Sequence, residues 1–128
     1  MATGGSYSSE CLKQATKIRK CMAKLVDNLP TGKTAFLFLF LSVGLLTQQE
    51  QGQIHREQDV IQKTILLLGF IIHLTMRDVQ YYDSFLDLLR DDNRHDIAMM
   101  IDLTSVTQRD MDITRRSYQT SVQIRISN

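Results

Sequence analysis

Residues 65–74 read ILLLGFIIHL, and this apolar stretch decides the fold more than any other part of the chain. It ends a longer pattern spaced by seven, four, three and four residues: Ile54, Ile61, Ile65, Leu68 and Ile72. That spacing predicts a helix from Gln53 to about Met76, polar around its first half and apolar all round its second half. We therefore expect this helix to enter the core partway along its length.

A second apolar run, AFLFLFLSVGLL, occupies residues 35–46. Because it is apolar on every face, it predicts a second central helix, capped by Thr34 and packed beside the first. It is too short to cross a bilayer as a helix, so no stable membrane span is expected. Its Phe/Leu alternation also suits a buried strand, which the pattern alone leaves open.

The flanking segments add amphipathic helices around this centre. Ser8 or Ser9 is the expected N-cap of a helix over 9–28, which Pro30 and Gly32 end. Residues 47–53, TQQEQGQ, read as a loop, and apolar spacing predicts helices over about 79–90 and 97–101. Thr107 and Asp110 have the spacing of a capping box for one more short helix, to about Arg116.

The end of the chain has a different pattern. Val122, Ile124 and Ile126 alternate with polar residues, which predicts a short strand. Because a single strand needs a partner, these three residues are candidates for a contact with another chain.

Together these patterns predict one all-α domain, a compact bundle of about five helices with a short C-terminal strand. A chain of 128 residues fits a single domain. We expect a flexible arm at 1–8, the bundle at 9–103, and an appendage at 104–128 that takes part in a dimer contact.

Opposite charges are concentrated in different parts of the chain, although the net charge is only +1. The first helix has a basic face formed by Lys13, Lys17, Arg19, Lys20 and Lys24. The fourth has an acidic face formed by Asp83, Asp87 and Asp91, which we read as solvated rather than metal-binding. Such faces can pair with each other within one chain, or head to tail between two copies of the chain. The second arrangement predicts self-association.

The basic helix also supports an alternative function. Its five cations could neutralise phosphates of RNA or DNA. The helix has no aromatic residue for base stacking, so we place nucleic-acid binding second to protein binding.

No catalytic, cofactor-binding or metal-binding motif stands out. Thr31-Gly32-Lys33-Thr34 resembles the end of a phosphate-binding loop, but Asp27 stands where the first glycine is required. His55, His73 and His95 are not at metal-ligand spacing. Cys11 and Cys21 read as free thiols, which favours the cytoplasm, or the nucleus, and we predict a protein that is not an enzyme.

One local stretch resembles a known family. Phe85-Leu86-Asp87-Leu88-Leu89 followed by Arg94-His95-Asp96-Ile97 is similar to the late-helix region of death-effector domains, where an Arg-x-Asp-Leu element follows a Leu-rich helix. The resemblance covers under a fifth of the chain, and Ile97 stands at the final Leu. It implies that Arg94 and Asp96 are charge-network residues at an assembly interface.

From these observations we expect a non-enzymatic adaptor, accessory or regulatory protein that binds another protein and forms homo-oligomers such as a homodimer. No cofactor is expected.

Overall fold

A computed structural model describes residues 8–127 of the chain, with side chains described over 8–118. All eight elements in this range are α-helices, which confirms the all-α class, and the expected count of about five is too low. In chain order they are α1 Ser9–Lys20, α2 Met22–Asn28, α3 Thr34–Ser42, α4 Gln48–Arg56, α5 Val60–Arg77, α6 Gln80–Asp91, α7 His95–Asp102 and α8 Gln108–Ser127.

The predicted helix over 9–28 is two helices. Ser8 caps the first, because its hydroxyl accepts a hydrogen bond from the Cys11 N–H at 3.1 Å. The backbone then leaves the helical conformation at Cys21, whose N–H is shared between the carbonyls of Lys17 and Ile18. Within the predicted arm at 1–8, only Ser8 falls within the described residues.

The predicted loop at 47–53 is wrong, because this segment belongs to α4. Thr47 and Glu50 form a capping box: the Glu50 N–H donates to Thr47 Oγ at 3.1 Å, and the Thr47 N–H donates to the Glu50 carboxylate at 3.0 Å. This reciprocal pair satisfies the free N–H groups that oppose helix formation in a polar segment. The predicted helix over 53–76 is consequently split between α4 and α5.

The centre of the bundle is α5, which packs against α1, α2, α4 and α6. Leu67, Leu68 and Ile71 on its inner side are completely buried. By length and composition alone, α5 is long and apolar enough to cross a membrane. This is weak evidence for a membrane span, because the same helix supplies residues of the bundle core.

The prediction that α3 is a second central helix is wrong. Phe36, Leu37 and Phe40 are buried, and the Phe40 ring lies 6.0 Å from that of Phe85 on α6. Phe38, Leu39 and Val43 on the opposite face are exposed, so among the described residues α3 packs on the bundle through one face only. The run is helical rather than a buried strand over Thr34–Ser42, and Gly44, two residues after the helix, has a φ of +80°.

The predicted strand at the C-terminus is also wrong, since residues 121–127 continue α8. The Thr107–Asp110 capping box that starts this helix is confirmed, with reciprocal bonds of 3.0 and 3.1 Å. A helix nucleated in this way satisfies its backbone without the partner strand that an isolated strand needs. The side chains of Val122, Ile124 and Ile126 lie outside the described ones, and their contact with another chain stays a prediction.

Candidate interaction surfaces

Three of the five residues in the predicted basic face are engaged inside the molecule. Lys17 is buried, and its ammonium donates to the Asp102 carbonyl at 2.9 Å and lies 3.7 Å from the Asp102 carboxylate. It also lies 5.9 Å from the centre of the Tyr82 ring. Burial, and then the hydrogen bond that Tyr82 donates to Asp102, raise the pKa of the Tyr82 hydroxyl. Lys17 therefore stabilises the C-terminal end of α7, where a cation is favoured by the helix dipole.

Arg19 and Lys20 hold the first turns of α8 against α1. Arg19 Nε donates to Thr114 Oγ1 at 2.8 Å, and its guanidinium donates to the Asp110 carbonyl at 3.2 Å. Lys20 donates to the Asp110 carboxylate at 2.8 Å and to the Ser105 carbonyl at 3.0 Å. The Lys20 hydrogen bond and those from Thr107 lower the pKa of Asp110 to about 2.

A buried pair of hydroxyls completes this contact. Thr16 and Thr114 are both almost fully buried, and their hydroxyls are 2.8 Å apart. Because Thr16 pairs with Thr114 while Lys20 pairs with Asp110, α8 runs antiparallel to α1. The first part of the predicted appendage at 104–128 is thus packed on the bundle. Lys13, Lys20 and Lys24 of the basic face are exposed, and of these three Lys20 is held by Asp110 and Ser105.

The residues of the predicted acidic face lie where the sequence placed them, on the solvent side of α6. Asp83, Asp87 and Asp91 are all exposed, and Asp87 pairs with Arg90 one turn along at 3.0 Å. The line of carboxylates occupies one side of the helix over two turns.

Arg94 and Asp96, the two residues singled out by the local resemblance, are in different environments. Arg94 is partly buried, pairs with Asp92 at 2.9 Å and lies 5.8 Å from the Phe36 ring centre. Asp96 is exposed in the first turn of α7. The ion pair of Arg94 therefore lies within the α6–α7 turn, and its contact with the Phe36 ring connects that turn to α3.

The surface that sequence analysis missed is the outer face of α3. Phe38 is 51% exposed, Leu39 37% and Val43 54%. Leu39 and Val43 border a groove of about 120 Å³ whose other wall is the end of α6, formed by Leu88, Asp91 and Asp92. We call this apolar face and its acidic wall the α3–α6 surface.

Potential metal-ligating side chains do not cluster in the described part of the chain. No group of three or more His, Cys, Asp or Glu side chains there could hold a metal ion. Cys11 and Cys21 are buried free thiols, and the Cys21 sulfur lies 3.1 Å from the Thr104 hydroxyl. His73 packs against the Tyr118 ring, with centroids 4.5 Å apart.

Comparison with known proteins does not supply a function. No protein family, curated protein or solved structure matches this chain.

Proposed function

We propose that this protein is a non-enzymatic protein–protein interaction module that self-associates through the α3–α6 surface. The observation that carries the proposal is the unpartnered apolar face of α3, formed by Phe38, Leu39 and Val43. Contiguous exposed apolar residues rimmed by polar groups mark sites of association. The acidic wall adds a charged rim that selects partners and orients them.

The size of the expected effect follows from the exposure of these side chains. Burying a whole Phe, Leu or Val side chain contributes about 1.5–3 kcal/mol, so burying the exposed half contributes about 1 kcal/mol. Removing two of the three side chains should then cost about 2 kcal/mol, which weakens association about 30-fold.

The test is light scattering coupled to size exclusion over a range of protein concentrations. We expect the wild type to grow in mass with concentration, and the Phe38→Ser/Val43→Ser variant to stay monomeric. A matched control is Met99→Ser/Leu103→Ser, because these side chains are 60% and 75% exposed on and just after α7 and are not among the residues of the α3–α6 surface. The control should associate like the wild type.

Two results would overturn this proposal. One is a wild type that stays monomeric up to about 1 mM, a concentration at which even weak homotypic contacts form. The other is equal loss of association in the Phe38/Val43 and Met99/Leu103 variants, because replacing any exposed apolar side chains with serine would then have the same effect.

Binding of RNA or DNA has less support. Lys17, Arg19 and Lys20 of the proposed basic site are engaged with α7, α8 and the segment between them. A location in the cytoplasm or nucleus also stays a prediction, supported by the two free thiols.

A further inference from the structure

The outer face of α3 is symmetric by position about its own midpoint. The exposed residues of this helix and its C-cap are Thr34, Ala35, Phe38, Leu39, Ser42 and Val43. They form adjacent pairs spaced by four residues, so they lie on one side of the helix. A half-turn about the point between Phe38 and Leu39 exchanges these two residues, and it exchanges the outer ones as well: Ala35 with Ser42, and Thr34 with Val43.

The residues that this half-turn exchanges are similar in size. Thr and Val have the same branched shape, Ala and Ser are both small, and Phe and Leu are bulky and apolar. Small side chains on either side of a bulky centre allow two helix backbones to approach closely. The Ser42 hydroxyl donates to the Leu39 carbonyl at 2.8 Å, so it can be buried in a contact without losing its partner. The outer face of α3 is therefore complementary to the same face of an antiparallel copy.

The two ends of this face have opposite charges. Lys33 is exposed at the N-terminal end, where α3 has no side-chain cap and its free N–H groups are partly positive. Asp91 is exposed near the C-terminal end, where it lines the groove with Val43. No ion pair joins Lys33 or Asp91 to another residue in the described part of the chain, whereas Asp92 is held by Arg94. These two charges are consequently available to a partner.

We infer that the α3–α6 surface binds the same surface of a second copy, with the two α3 helices antiparallel across a two-fold axis between Phe38 and Leu39. This inference rests on the proposed function, and it specifies the partner of that surface. Lys33 of each copy then lies beside Asp91 of the partner subunit, whereas a parallel pair would bring like charges together at both ends. Because the contact is two-fold, both copies use the same surface and assembly stops at a dimer.

Exchanging the charges tests the pairing of Lys33 with Asp91. We expect Lys33→Glu and Asp91→Lys each to lower the association constant about tenfold, because two exposed ion pairs per dimer become repulsive contacts. An equimolar mixture of the two variants should recover the wild-type mass by light scattering, since each introduced charge then faces an opposite one. Lys24→Glu and Asp83→Lys are the matched controls, because they make the same charge changes at exposed residues outside the α3–α6 surface, and they should associate like the wild type.

Cysteine cross-linking tests the direction of the helices. Under oxidised glutathione, a mixture of Ala35→Cys and Ser42→Cys should form a disulfide-linked dimer, because these two positions face each other in the antiparallel pair. Either variant alone should cross-link poorly, since identical positions are then about 10 Å apart along the axis, beyond the reach of a disulfide. The native thiols of Cys11 and Cys21 are buried and do not compete.

The possible failures are separable. If the wild type assembles and the Phe38/Val43 variant does not, but mixing the charge variants recovers nothing, the antiparallel pairing is wrong and the proposed function stands. The same conclusion follows if Ala35→Cys cross-links alone as well as it does in the mixture. If the wild type is monomeric, the proposed function and this inference fail together.

Discussion

Replacing Thr114 with valine should loosen α8 from the bundle. Thr114 Oγ1 accepts hydrogen bonds from Thr16 and from Arg19 Nε, both at 2.8 Å, and donates to the Asp110 carbonyl at 3.2 Å. Valine keeps a branched side chain at this buried position but removes all three bonds. The change therefore probes the polar contact between α1 and α8 with little effect on packing.

The magnitude follows from which partners are left unsatisfied. A hydrogen bond to a charged group contributes about 1.5–3 kcal/mol. Arg19 Nε loses the acceptor to which it donates when the Thr114 hydroxyl is removed. Thr16 is less affected, because its hydroxyl can donate its one hydrogen to the Leu12 carbonyl, 2.7 Å away, when Thr114 Oγ1 is removed. We expect a loss of about 2 kcal/mol in the free energy of unfolding.

Urea denaturation and amide hydrogen exchange measure this loss. With a denaturant slope of about 2 kcal/mol/M, the urea midpoint should fall by about 1 M. Amide protection should fall in α8 before it falls in α5, because local opening requires only the α1–α8 contact to break. The control is Arg115→Gln, which removes a surface ion pair to Asp112 of 2.9 Å on the same helix and should cost at most about 0.5 kcal/mol. A Thr114→Val midpoint no lower than that of Arg115→Gln would refute the idea that this network holds α8.

Other substitutions test single features of the fold. Thr75→Val should raise the urea midpoint by the equivalent of about 1 kcal/mol, since the buried Thr75 hydroxyl has no hydrogen-bond partner among the described residues. Because the pKa of Asp110 is lowered to about 2, its carboxylate stabilises the fold above pH 4, and this contribution is lost as the pH falls from about 4 to about 2. Asp110→Asn weakens the bond to Lys20, so the hydrogen-exchange protection of α8 should no longer fall between pH 4 and pH 2 on account of this residue. Gly44→Ala should lower the free energy of unfolding by about 1–2 kcal/mol because φ is +80°, whereas Gly69→Ala should raise it by about 1 kcal/mol. A rise in the thermal midpoint of Gly44→Ala, or a fall in that of Gly69→Ala, would contradict the corresponding assignment.

The helices that could be predicted from sequence are those with a long apolar period. The period through Leu68 and Ile72 marked α5, and a serine before the first apolar stripe marked the start of α1. The missed α4 has only one buried residue, Ile54, so no repeated apolar spacing in its sequence indicates a helix. The spacing of Thr47 and Glu50 was nevertheless a readable capping box, and it would have predicted a helix start.

The interaction surface could not be predicted in the same way. A run that is apolar on all faces does not reveal which face the rest of the chain will cover. Phe36 and Phe38 are equivalent in the sequence pattern, yet one is 4% and the other 51% exposed. That difference depends on which side of α3 faces the rest of the chain, where Arg94 lies 5.8 Å from the Phe36 ring centre, and contacts of this kind arise only in the tertiary structure.

The basic face shows the same limit in the opposite direction. Its residues were identified correctly as cations on α1 and α2, but the partners of Lys17, Arg19 and Lys20 are 85 to 95 residues away in the chain. A sequence pattern typical of a free binding face therefore includes three cations that are bound inside the molecule. The charge of a helix face predicts a binding site only for the cations that the fold leaves without a partner.

This distinction determines how nucleic-acid binding should be tested. Glutamate at Lys17 or Lys20 would place a carboxylate beside Asp102 or Asp110, so lost RNA binding could result from a detached α7 or α8. Lys13→Glu/Lys24→Glu avoids this problem, because both side chains are exposed and α8 keeps its contacts. If these lysines contact a single-stranded RNA, their loss should reduce the slope of log affinity against log salt by about 0.7 for each contact. An unchanged slope and affinity in this variant would exclude the exposed lysines from RNA binding, and would leave the α3–α6 surface as the stronger candidate for function.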